Sequence, residues 1–97
     1  MQIRDVMVIS EQGLHARPAD LFIRAANRFS CSIEIMNLSK ESHFENAKSI
    51  LRLLSLGVYK HHLVRLKTEG QDEIEAIQTL AALIENDFYI KTTIKKK

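Results

Sequence analysis

The spacing of apolar residues changes period again and again along this short chain, and that succession restricts the fold more than any other feature. Over residues 3–9 apolar side chains fall on both parities, Ile3, Met7 and Ile9 against Val6 and Val8. That pattern predicts a strand covered on at least part of both faces. Ser10-Glu11-Gln12-Gly13 breaks it. Pro18 then sits where the first helical turn tolerates a missing N–H. Leu21, Phe22, Ala25, Ala26 and Phe29 keep helical spacing to about Arg28, with Asp20, Arg24, Asn27 and Arg28 turned to water. Residues 31–36 alternate, with Ile33 and Ile35 inward. Residues 37–41 read as a polar turn, and 42–45, around Phe44, as a short return strand of a hairpin. Ser49 is a good N-cap for a short helix over 50–56, which Gly57 ends in a left-handed conformation. Residues 63–67 form a further strand, and Gly70 turns the chain. Asp72-Glu73-Ile74-Glu75 has the spacing of a capping box. The last helix runs to about Asn86 and buries Ile74, Ile77, Leu80, Ala81 and Ile84.

The element order is therefore β-α-β-β-α-β-α. It predicts an α/β (α+β) two-layer open-faced sandwich, a four-stranded, mostly antiparallel sheet with three helices on one face. Ninety-seven residues make one domain, here 1–88, followed by a basic tail over 89–97. Net charge is +2, and Lys95, Lys96 and Lys97 supply more than that, so the body is near neutral. Such a balance asks for neither nucleic acid nor membrane as a partner. The lysine run reads as a solvated tail, with weak anion or membrane contact the alternative. No apolar run reaches the ~20 residues of a membrane span, and the first residues lack a signal-peptide layout. The one cysteine, Cys31, cannot close an internal disulfide, which fits a reducing cytoplasm; it reads as a small buried residue at a strand start.

Chemistry concentrates in Gly13-Leu14-His15-Ala16-Arg17-Pro18-Ala19. A neutral imidazole can attack phosphorus, and the P–N bond so formed is labile enough to pass the group on. The protein must keep the ring uncharged near its reference pKa of about 6.5 and must hold the added negative charge. A helix N-terminus suits both needs through its orphan N–H groups and positive dipole end. Pro18 disfavours a helical Arg17, so the cap falls anywhere from His15 to Arg17. In each register the amides of Ala16 and Arg17 lack helical acceptors. The Arg17 guanidinium can add charge-assisted bonds, and Gly13 lets the loop turn tightly enough to present the ring to solvent. On spacing alone the plainer reading takes precedence, with His15 as a cap, Arg17 as an exposed charge and Pro18 as a helix starter, because the motif is short.

The same segment resembles the active-site motif of HPr, the histidine-containing phosphocarrier family of the bacterial phosphotransferase system. Lys48-Ser49-Ile50 followed by Leu53-Leu54-Ser55-Leu56-Gly57 resembles that family's second landmark, and the likeness covers roughly residues 3–88. The resemblance implies that His15 accepts a phosphoryl group on Nδ1 from phosphoenolpyruvate by way of enzyme I, and donates it to a histidine of a IIA-type component. Arg17 and the Ala16 amide would help hold the phosphate. Ile50, Leu51 and Leu54, with the start of the first helix, would form the apolar docking patch. Ser49 matches the serine that a dedicated HPr kinase phosphorylates in one branch; plain N-cap duty is the simpler role. Arg52 stands where that branch carries a small glycine, and Gln12 replaces a small polar residue. The connection between the second and third strands is a few residues longer than in sugar-branch members. Ala81-Ala82-Leu83-Ile84-Glu85-Asn86-Asp87-Phe88 is similar to the nitrogen-related paralogue, NPr. The protein so implied is a stoichiometric carrier, without cofactor and without turnover of its own.

A regulatory module is the competing class, in which phospho-His15 or phospho-Ser49 alters binding to a kinase or transcription regulator. A sheet-based RNA binder is a third, but Tyr59 and Tyr89 are too few and too far apart to stack bases. His43, His61 and His62 read as exposed turn residues; adjacent strand positions point oppositely, and no ligand spacing accompanies them.

Overall fold

A computed structural model of the chain describes residues 1–88. The elements are β1 Gln2–Met7, α1 Ala16–Ala26, β2 Ser32–Asn37, β3 Glu45–Asn46, α2 Ile50–Ser55, β4 Leu63–Glu69 and α3 Glu73–Glu85. They form the expected open-faced sandwich. The sheet order is β1-β4-β2-β3 and every pairing is antiparallel.

Register sorts the sheet into two unlike faces. Val6 stands opposite Val64, Ile35 opposite Leu66 and Ile33 opposite Thr68, and all six are buried. The five apolar ones share one core with Phe22, Leu53, Ile77, Leu80 and Ile84 of the helices. On the other face Asp5 is opposite Arg65 and accepts its Nε–H at 2.8 Å, while Lys67 lies 3.0 Å from Glu34. Opposite charges placed across strands favour this register. β1 is thus covered on one face only. Ile3, Met7 and Ile9 are exposed, because among the described residues no second layer lies beyond the sheet; two apolar parities in a row did not mean two buried faces.

Other boundaries shift for local reasons. The return strand is two residues, Glu45–Asn46, and not 42–45, since Ser42 instead bonds the Asn37 backbone through its Oγ. Asn37 is no turn residue. It is fully buried at the end of β2, where its Nδ2 donates to Leu56 O at 3.1 Å and its Oδ1 accepts from Ser39 N. The capping box at α3 does not form. Asp72 accepts instead from the backbone N–H groups of Ser30 and Cys31, each at 2.9 Å, pinning the start of β2. Those bonds, Ser30's first, hold its carboxyl below the usual carboxylate range. Glu73 accepts from Gly70 N. Ile74 is exposed and Ala76 takes the inward place, which suits the small-residue approach of α3 to the sheet. α1 and α2 follow expectation, with Ser49 Oγ accepting from Arg52 N at the start of α2 and Gly57 at φ 58 just past its end. Phe88 is buried and donates to Leu83 O at 2.8 Å. The tail over 89–97 and Tyr89 lie outside the described residues.

Candidate functional site

His15 owes its position to the turn before it. Gly13 N donates to Ser10 O, His15 N to Gln12 O, and the buried Ser10 hydroxyl to Gly13 O. Leu14 N donates to Val58 O at 3.0 Å and the Leu14 side chain is buried. A Cβ on Gly13 would lie 2.6 Å from Tyr59 Cα, and its φ of 60 is left-handed. Only glycine allows this approach without strain. The loop is therefore clamped onto the segment joining α2 to β4.

The residue after the clamp begins the helix. His15 is the N-cap, in extended conformation (φ −128, ψ 168), and its side chain makes no capping bond, so the ring is free for other work. Its carbonyl accepts from Ala19 N at 3.4 Å. Ala16 sits at φ 51, a conformation costing an L-residue about 1–3 kcal/mol that structures keep mainly at working sites. Among the described residues neither the Ala16 nor the Arg17 amide has a backbone acceptor, and the exposed Arg17 guanidinium makes no hydrogen bond or ion pair. Two N–H donors without a backbone acceptor thus follow the imidazole at the positive end of α1, with the Arg17 cation in the same turn, an arrangement that favours a negative charge there.

The ring itself departs from expectation. It is half-buried, not fully presented to solvent, and Nε2 is closed off with no hydrogen-bond partner among the described residues. Tyr59 lies against it, ring centroids 4.8 Å apart and planes tilted by 32°. Tyr59 in turn meets His62 edge-on at 5.9 Å, and the Tyr59 N–H donates to His62 Nδ1 at 3.0 Å. His62 is accordingly half-buried and hydrogen-bonded, not an exposed turn residue; Asn37 Nδ2 also lies 3.2 Å from its Nδ1. Lys40 Nζ stands 5.4 Å from the Tyr59 centroid. Tyr59, His62, Asn37 and Lys40 were missed as site residues because they gather by folding from separate turns, with no periodic signal among them.

Of the remaining candidates, Ser49 is spent on its cap, while Ile50, Leu51 and Leu54 stay exposed on α2, Leu51 at 77%. α2 packs against α1, so this apolar ridge stands beside the helix that carries His15. Cys31 is buried, and that burial, with the Asp72 carboxylate beside it, pushes its thiol up to about 11, leaving it inert near neutrality. Among the described residues no cluster of His, Cys, Asp or Glu could hold a metal ion, and no helix is long and apolar enough to cross a membrane.

The model of the PTS HPr component phosphorylation site matches residues 3–86. The chain belongs to the HPr family. It is similar to the HPr-like protein Crh of Halalkalibacterium halodurans, 44% identical over 84 residues that cover 87% of this chain and 96% of that one. It is also similar, 38% over 77 residues, to the multiphosphoryl transfer protein of Haemophilus influenzae; that match takes in 79% of this chain but spans only 15% of the longer protein. The crystal structure of HPr-C-His from Thermoanaerobacter tengcongensis superposes with a TM-score of 0.86 at 41% identity, covering 95% of this chain and all of that one. HPr-family membership makes the phosphocarrier fold, and the phosphotransferase system as its setting, the frame for the geometry above.

Proposed function

We propose that residues 1–88 are a phosphocarrier domain that accepts a phosphoryl group on His15 Nδ1 from enzyme I and passes it to a histidine of a IIA-type component. The observation that supports this most is the imidazole at the N-cap of α1, followed by two amides without a backbone acceptor and by Arg17 in the same turn. Nε2 is closed off, which leaves Nδ1 as the nitrogen to react. Its lone pair forms the new P–N bond while the bond from phosphorus to the donor's leaving atom breaks, and the donor keeps that electron pair. The transferring group is loose and spreads charge over three oxygens, so positioning and electrostatics carry the catalysis. The Ala16 and Arg17 amides and the Arg17 guanidinium receive those oxygens, with charge-assisted bonds contributing roughly 1.5–3 kcal/mol each. Donation to the acceptor histidine runs the same step in reverse. Ile50, Leu51 and Leu54 serve as the surface on which donor and acceptor dock in turn. On this reading the protein works in the cytoplasm, without cofactor, as a stoichiometric carrier and not an enzyme.

A regulatory role is the second reading, supported by the 44% identity to Crh and by Ser49 at the start of α2; here phosphorylation changes the binding of a kinase or transcription regulator, in a sugar-related or an NPr-type nitrogen branch. Incubation with enzyme I and labelled phosphoenolpyruvate separates the two. The carrier reading expects acid-labile, alkali-stable label that chases onto a IIA-type protein and is lost in His15→Ala. Label retained by His15→Ala refutes the site, and label that never leaves the wild-type protein favours the regulatory role.

A further inference from the structure

Histidines that do chemistry are commonly held by a hydrogen bond at the nitrogen that does not react, usually to a carboxylate or carbonyl. His15 lacks that hold: its Nε2 is buried without a partner among the described residues, and its side chain makes no capping bond. The ring must be oriented by packing instead. Tyr59 supplies the packing. Its centroid distance of 4.8 Å falls in the range of favourable aromatic pairs, about 4.5–7 Å. Tyr59 is itself fixed, its N–H donating to His62 Nδ1 at 3.0 Å and its ring meeting His62 at 84°. Beyond it, Asn37 Nδ2 lies 3.2 Å from His62 Nδ1 and donates to the carbonyl that ends α2, so the support reaches the rigid sheet. A residue 55% exposed, as Tyr59 is, is not kept there by the demands of the core.

We propose that Tyr59 is a positioning residue for His15, its ring taking the place of the missing hydrogen-bonded orienter and holding the imidazole with Nδ1 toward the phosphoryl donor. This rests on the carrier reading. Tyr59 does not touch the phosphoryl group; it acts through the imidazole alone.

The test compares wild type, Tyr59→Phe and Tyr59→Ala in two assays. In the unphosphorylated protein, NMR reads the ring-current displacement of the His15 ring protons. Tyr59→Phe should keep it and Tyr59→Ala should abolish it, with thermal unfolding little changed in either. In enzyme I-dependent phosphorylation, Tyr59→Ala should lower kcat about three- to tenfold, the equivalent of one lost aromatic pair, with KM held, and Tyr59→Phe should restore it. Unmoved ring protons in Tyr59→Ala overturn the proposal by removing the stack. Protons that move while kcat holds, or a rise in KM alone, overturn it by making Tyr59 idle or merely part of a docking surface. A wild-type protein that takes up no phosphoryl group brings down the carrier reading and this role with it, whereas an active wild type beside an unimpaired Tyr59→Ala brings down this role only.

Discussion

Gly13→Ala tests the clamp that delivers His15 to its helix, and Gly57→Ala is its internal control. Both glycines are left-handed, at φ 60 and φ 58, so alanine at either carries the same backbone penalty of about 1–2 kcal/mol. Alanine also restrains the unfolded chain, which offsets about 0.4–1 kcal/mol at each. The surroundings differ. At Gly13 the new methyl would lie 2.6 Å from Tyr59 Cα and closer still to the Val58 carbonyl oxygen, all of it backbone. At Gly57 the nearest atom is Lys40 Nζ at 2.7 Å, the free end of a long side chain that can swing away. Relief of the backbone clash adds an overpacking penalty of about 1–3 kcal/mol to Gly13 alone. The expected losses are therefore about 3 kcal/mol for Gly13→Ala and about 1 kcal/mol for Gly57→Ala. Urea unfolding with an unchanged slope reads both. Equal losses at the two sites, or a Gly13→Ala loss under about 1 kcal/mol, would mean that the loop is not locked against the Val58–Tyr59 backbone.

Leu51→Asp, on the most exposed residue of the α2 ridge, should leave stability within about 0.5 kcal/mol yet raise KM for enzyme I about tenfold or more, as loss of an anchoring contact does; steady-state phosphorylation kinetics checks it. Ser49→Ala removes the acceptor for Arg52 N and should cost about 1 kcal/mol in urea unfolding, with kcat for His15 phosphorylation unaltered. Asp72→Asn should lower the melting temperature at neutral pH. Because the folded-state pKa of Asp72 is depressed, its contribution is whole above the ordinary carboxylate range and lost as pH falls through the depressed value. The gap between variant and wild type should therefore close in acid, and a gap that stays constant with pH contradicts the role.

The features legible in the sequence are those set within a few residues of each other. Pro18 restricts the start of α1, Ser49 and Gly57 bracket α2, and the alternation of Ile33 and Ile35 with Ser32 and Glu34 fixes the inward face of β2. What stayed hidden depends on partners far along the chain. Asp72 looks like a helix cap and turns out to hold Ser30 and Cys31, whose two backbone N–H groups folding brings to its carboxylate. Asn37 looks like turn material until Leu56 and His62 come to meet it. Ile3 and Met7 match the pattern of buried residues, yet an open-faced sheet leaves them in water. At the site, His15, Ala16 and Arg17 follow from helix-end chemistry, whereas Tyr59 carries no local signal and reaches His15 only after Gly13 closes onto the turn.

On the proposed function one nitrogen of one ring carries the phosphoryl group. ¹⁵N and ³¹P NMR of the phosphorylated protein, with histidine nitrogens labelled, reads that nitrogen directly. A single phosphohistidine is expected, at position 15, with phosphorus coupled to Nδ1 and the proton retained on Nε2. Phosphorus on Nε2, or on any other residue while His15 stays unmodified, would contradict it.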